Sequence, residues 1–155
     1  MSNNSFTVLN KKIDSWQSGL DKALLTAVKA QSEILAGDAR KACPVDTGDL
    51  RNSIEAFTEV TKDGITGGAV TTNEHAAYVE FGTGPTGTQT GGHPLDGELG
   101  IVRKTEPWLA VIPDVGPRYV HGQPANPFMY TAMKQNEKEI VEKFGTSVKE
   151  VLGSG

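Results

Sequence analysis

A single cysteine, Cys43, among 155 residues leaves no internal disulfide possible, so the chain must be held by its core, as proteins of reducing compartments are. No apolar run approaches the roughly 18–20 residues that a membrane-spanning helix needs. The opening residues, Met1-Ser2-Asn3-Asn4-Ser5, lack the basic-then-apolar order of a secretory signal. Clustered basic charge is also missing. These absences lead us to expect a soluble protein made inside the cell, without a membrane partner. The length suits one domain, and a globule of this size buries roughly 68–70% of its unfolded surface, enough for a real core.

The net charge of −4 is unevenly spread. Residues 1–43 carry six basic and four acidic side chains, whereas residues 44–81 carry two and seven. Without a basic stripe there is little to displace counterions from a nucleic acid, which disfavours a DNA-binding packaging accessory. The acidic middle reads as a solvated face that would repel a passing polyanion.

Apolar residues at Ile13, Trp16, Leu20, Leu24, Ala27, Val28, Ile34 and Leu35 step by threes and fours, which predicts a helix over 10–42. Pro44 disfavours helical geometry at the residue before it and ends the run. A helix of about 30 residues spans roughly 45 Å, more than such a domain requires, and an overhanging element often packs on a neighbour. Asp46 or Thr47 is expected to cap a short helix with Leu50 and Ile54 inward. Two strands, 55–61 and 65–72, meet through Lys62-Asp63-Gly64, a hairpin signal. Residues 74–81 read as a short helix with Ala77, Tyr78 and Phe81 inward. The stretch 82–106 is expected as a flexible loop, since residues 82–100 hold seven glycines and no lysine or arginine. Strands resume at Trp108–Ile112 and Arg118–Val120, within 107–122. Asn126 and Pro127 then open a C-terminal helix over 126–152. Helices at both ends and strands between them predict a single α+β domain over 1–155. It would hold an antiparallel sheet of about four strands packed against the long N-terminal and the C-terminal helix, with a long glycine-rich loop.

Catalytic chemistry is thin. Gly82-Thr83-Gly84-Pro85-Thr86-Gly87 matches the dinucleotide fingerprint literally, but that motif needs a strand before it and a helix after it, and the residues following are not expected to form a helix. No cofactor is expected. His75, His93 and His121 have no partners at helical spacing. A metal site could be assembled from His93, Asp96 and Glu98, with solvated loop residues as the plainer reading, and a small metal-dependent enzyme using Glu80, His93 and Asp96 is the alternative function. Glu80, placed between inward positions, suggests a structural ion pair with Arg51.

Three stretches carry a resemblance. They are Pro44-Val45-Asp46-Thr47-Gly48-Asp49-Leu50-Arg51-Asn52-Ser53-Ile54, Ala77-Tyr78-Val79-Glu80-Phe81-Gly82-Thr83-Gly84, and Gln123-Pro124-Ala125-Asn126-Pro127-Phe128-Met129-Tyr130-Thr131-Ala132-Met133. In this order, between a long N-terminal and a C-terminal helix, they resemble the tail-component family of long-tailed bacteriophages, the neck and tail-completion proteins similar to gene product ten of a lambdoid phage. The insertion after Gly84 is longer than that pattern requires. The resemblance implies a non-enzymatic structural protein of the virion's head–tail junction, made in the host bacterial cytoplasm. It implies a ring of copies that neighbours head-closure and tail proteins and lets DNA pass without specific binding. Asp46, Thr47, Gly48, Leu50, Arg51, Tyr78, Glu80, Phe81, Gly82, Pro124, Asn126, Pro127 and Phe128 are then structural motif residues. The glycine-rich segment, with Gly84, His93, Leu95, Leu99 and Ile101, is the expected assembly interface, mobile over 83–104 in the free protein and ordered on assembly.

Overall fold

The structure is a computed structural model and describes residues 2–153. Six helices and two hairpins follow in the order α1 (Ser2–Ala42), α2 (Asp49–Asn52), β1 (Ile54–Thr61), β2 (Gly64–Thr71), α3 (Ala76–Phe81), α4 (Gly84–Gln89), α5 (Asp96–Leu99), β3 (Trp108–Ile112), β4 (Gly116–Val120) and α6 (Phe128–Gly153). The fold is mixed helix and sheet, as expected, with one correction. The four strands form two separate two-stranded sheets, β1 with β2 and β3 with β4. Each strand finds its partner across a short turn. The chain leaving β4 pairs instead with Thr83, through an isolated antiparallel bridge to Gln123.

The chain divides into two compact units. The first comprises the residues up to Asp38, Glu55–Val70 and those from Met133 onward; the second comprises Ala39–Ile54 and Thr71–Ala132. In the first unit α1 and α6 run antiparallel. Asn136 Nδ2 donates to Asp38 Oδ2 at 3.0 Å, and near the other end a Cβ on Gly19 would sit 3.3 Å from Val151 Cγ1. The β1–β2 hairpin lies against α1 at Gly67, where any Cβ would collide with Val28 and Ser32. A cavity of about 270 Å³ remains between Val28 and Leu35 of α1, Ile65 of β2, and Ile140 and Phe144 of α6. α1 begins earlier than residue 10 because Phe6 and Leu9 continue the apolar stepping of Ile13 and Trp16.

The core of the second unit is Ala39, Cys43, Ile54, Ala76, Phe128 and Ala132. Gly48, with φ 93°, takes the N-cap position of α2, ahead of the expected Asp46 or Thr47. Thr47 Oγ1 still accepts from the Asp49 amide at 3.3 Å. Burial also raises the pKa of the Cys43 thiol above its ordinary 9.0, against the opposing pull of the Arg51 charge.

The segment 82–106 departs most from expectation. It contains α4 and α5, and Gly84, Pro85, Gly87 and His93 within it are buried. Aperiodic sequence is not unsupported chain, because polar contacts carry the order that an apolar stripe carries elsewhere.

Candidate functional site: three motifs around one cleft

The three motifs come together in the second unit. Backbone pairing ties the second to the third: Thr83 N donates to Gln123 O at 2.9 Å, and Asn126 N to Val79 O at 2.8 Å. Gln123 Nε2 donates to Tyr78 O at 2.8 Å. The first motif joins them around a cleft of about 610 Å³ lined by Val45, Asp46, Thr47 and Leu50 on one side and by Gln123, Pro124 and Asn126 on another. Gly82 and Gly84 make this closeness possible. Both have left-handed backbones, with φ 73° and 61°. A Cβ at Gly82 would lie 2.6 Å from Ala125 N, and one at Gly84 2.7 Å from His121 O. The glycines of the apparent dinucleotide fingerprint therefore face this chain's own backbone. The short helix α4 spans the second and third of these glycines and ends at Gln89, so no helix opens after them, and the element before them is helix α3 and not a strand.

The same unit holds a buried polar network. Glu80, only 7% exposed, accepts from the amides of Met129 (2.9 Å, Oε2) and Tyr130 (3.0 Å, Oε1). A carboxylate from α3 thus caps α6, meeting both orphan amides and the positive end of the helix dipole. The expected partner, Arg51, is exposed, and it is the ring of His93 that meets Glu80, its Nε2 3.1 Å from Glu80 Oε1. The Leu95 amide donates to His93 Nδ1 at 3.1 Å, which puts the ring proton on Nε2, directed at Glu80. His93 also packs between Phe81 and Tyr130, with ring centroids 4.6 and 5.3 Å away.

The network continues outward. His93 N donates to Asp96 Oδ2 at 2.9 Å, and Arg103 grips Asp96 with two bonds of 2.7 and 2.6 Å. Arg103 Nε also donates to Phe81 O at 2.9 Å. The hydrogen bond from Arg103 is the main cause that holds the Asp96 carboxyl below its ordinary 3.8. Four side chains, Glu80, His93, Asp96 and Arg103, thereby pin the glycine-rich segment to α3 and α6.

This geometry separates the expected interface residues. Gly84 and His93 are interior, Leu95 and Ile101 are half-buried, and Leu99 is 54% exposed. Tyr78, expected inward, is exposed, while Ala76 and Glu80 take the inner face of α3. The face is turned because Glu80 has partners inside the fold, and a charged residue reads as outward when only periodicity is considered. Phe128 is buried, Phe81 and Pro127 half-buried, and Pro124 and Asn126 exposed.

Sequence reasoning missed an open apolar surface, the outer face of the β3–β4 hairpin. Leu109 pairs with Tyr119 and Val111 with Pro117, and Leu109, Val111 and Tyr119 are 60%, 79% and 73% exposed. No alternation announced it, because Trp108–Ile112 is apolar at every position and reads as a strand covered on both faces. Beside it a cleft of about 740 Å³ is lined by Tyr78, Phe81, Val102, Lys104, Trp108 and Gln123, with Lys104 Nζ 5.0 Å from the Trp108 ring.

As chemistry, the network suits structure. Both ring nitrogens of His93 are engaged, by Glu80 and by the Leu95 amide, and both Asp96 oxygens by Arg103. Among the described residues no group of three or more His, Cys, Asp or Glu side chains is placed to hold a metal ion, and no helix is long and apolar enough to cross a membrane.

Residues 8–82 match the model of the family described as "Bacteriophage HK97-gp10, putative tail-component", just under half of the chain. The match contains the first motif and most of the second, and it is the phage tail-component family that the motifs resemble. Over those residues the chain is thereby similar to a phage tail component. Neither a curated protein nor a solved structure matches it significantly.

Proposed function

We propose that the protein is a non-enzymatic structural component of the virion at the head–tail interface, a neck, tail-completion or tail-terminator protein. Copies assemble as a ring between head-closure and tail proteins and let DNA pass through. The observation that carries this reading is the match of residues 8–82 to the tail-component family, whose first two motifs the fold joins to the third around one cleft. The outward apolar face of the β3–β4 hairpin supports it, because large apolar groups left open on one subunit mark an association surface. The exposed carboxylates Asp46, Asp49 and Glu74 suit a lumen from which DNA is repelled.

An amber stop in the gene, followed by electron microscopy of the lysate, tests the proposal. Full heads beside separate tails of normal length are the expected result; tails of uncontrolled length would make the protein a terminator. Intact infectious virions would remove it from the essential structure. The metal-enzyme alternative loses ground here, because its three residues have already committed their ligating atoms to one another, to Arg103 and to backbone amides.

A further inference from the structure

We propose that the edge of β2 in one copy pairs with the edge of β3 in the next, so that the two hairpins, separate within each chain, join as one sheet between copies. This deepens the ring reading and rests on it.

The receiving side lies in the first unit. The cavity of about 270 Å³ beside α1 and α6 is lined by four consecutive residues of β2, Ile65 to Gly68, and by none of β1. Side chains of a strand alternate between its faces, so a wall that takes four in succession runs along the strand's edge, here the one away from β1. Among the described residues β2 has no strand partner but β1, which leaves the N–H and C=O groups of that edge open to another strand. Gly67 and Gly68 carry no side chain to stand in the way. The cavity also holds an unmet polar group. Gln31 of α1 lines it and is only 6% exposed, and among the described residues its Oε1 is the one buried side-chain oxygen or nitrogen without a hydrogen-bond partner. Such an atom calls for a donor. Walls of Val28, Leu35, Ile140 and Phe144 call for apolar side chains. A strand brings both, N–H groups along its backbone and side chains at alternate positions.

The second unit of the next copy offers that strand. β3 is apolar at all five positions, and its outer edge has no strand partner because it pairs with β4 alone. Leu109 and Val111 share a face and stand exposed. β4 is the poorer edge. Pro117 has no N–H, and a proline within a strand pair turns its nitrogen to the outside, so the outer edge of β4 lacks a donor there. Opposite Pro117 in register stands Val111. Residues of such a pair direct their N–H and C=O groups away from each other, so those of Val111, and of Leu109 two residues before it, point out along the open edge of β3.

Within one chain β2 and β3 stay in different sheets, so the strand that meets β2 comes from a second copy. A lone two-stranded hairpin is marginal in water, and an apolar edge left open invites uncontrolled association. A defined partner answers both. Once paired, Leu109 and Val111 of the incoming strand lie over the apolar walls of the cavity. The two edges differ, so the contact is head-to-tail, the kind that closes into a ring when the rotation allows.

The test uses the full chain in phage particles. Val111→Lys puts a charge on the pairing strand at an exposed position. It should lower infectious titre at least tenfold while the melting of the purified protein stays unchanged. Independently, Thr66→Cys with Val111→Cys, both exposed positions, should give with a short bismaleimide a ladder of cross-linked copies in purified particles. Neither single cysteine should give it, and the buried Cys43 contributes none. A lysine-reactive cross-linker on the parent reports contact between copies of any kind. If it joins copies while the cysteine pair yields no ladder, or only a closed loop within one chain, the shared sheet is overturned, the ring reading stands and the cavity holds water alone. Undiminished titre of Val111→Lys overturns the shared sheet likewise; should that variant fail to fold, the cysteine pair alone decides. If the lysine-reactive reagent joins no copies in particles, sheet and ring are overturned together.

Discussion

The glycine-rich segment 82–106 and the first turns of α1 invert the usual link between regularity and support. The segment has seven glycines in its first nineteen residues, yet Arg103, Asp96, His93 and Glu80 fasten it to α3 and α6 through bonds of 2.6–3.1 Å. The start of α1 has unbroken helical geometry, yet residues 6–15 are all exposed. Local order in the first comes from buried polar groups that must be satisfied, in the second from the hydrogen bonds of the helix itself and contacts along it such as Lys12 over Trp16. A change at a single atom should therefore disturb the segment more than the loss of a large side chain disturbs the helix end.

The hardest blow to that contrast is at Glu80. Glu80→Leu leaves two α6 amides and the His93 N–H without an acceptor inside the fold. It should destabilise the protein by about 3–5 kcal/mol, as removal of one member of a buried charged network does. Urea unfolding measures it. Glu80→Gln, which keeps one acceptor oxygen, should cost distinctly less, and a Glu80→Gln variant that melts unchanged would deny the network its role.

Arg103→Met comes next. It removes the grip on Asp96 and the bonds to Phe81 O, with an expected loss of about 1.5–3 kcal/mol, typical of hydrogen bonds to charged groups. The same variant carries a pH signature. The carboxyl of Asp96 is held below its ordinary 3.8 in the folded state. Its contribution is therefore present in full above that value and is lost as pH falls through the lower folded one. Unfolding curves between about pH 5 and pH 2 should show this acid-side loss in the parent, and Arg103→Met should flatten that part of it. An unchanged acid profile would mean that the pair adds nothing.

How the two regions read in the sequence follows the same physics. Periodic elements were legible: α1 from the stepping of Ile13 to Leu35, the first hairpin from Asp63-Gly64, and α6 from its apolar stripe. What escaped depended on partners far away in sequence. Glu80 caps a helix that begins nearly fifty residues later, and no local pattern announces such a bond. The split into two sheets escaped for a related reason, since strand propensity marks strands and not their partners. The motifs around the cleft were legible as a resemblance, but their meeting through Thr83–Gln123 and Val79–Asn126 was not.

Amide hydrogen exchange sharpens the comparison without any substitution. The amides of Thr86, Gly87, Leu99 and Ile101 each donate to a backbone carbonyl and should exchange slowly in the free protein, against the mobility that composition alone suggests. Those of residues 6–12 should exchange fast, because a helix end without tertiary cover frays. Equal rates in the two regions would erase the distinction.

The smallest effect is expected where the side chain is largest. Phe6→Ser removes an aromatic ring, but that ring is 68% exposed, so the isolated protein should keep its stability to within about 0.5 kcal/mol. A variant that melts early would mean that the start of α1 is already covered in the free protein, and the contrast between a pinned segment and an open helix end would fail.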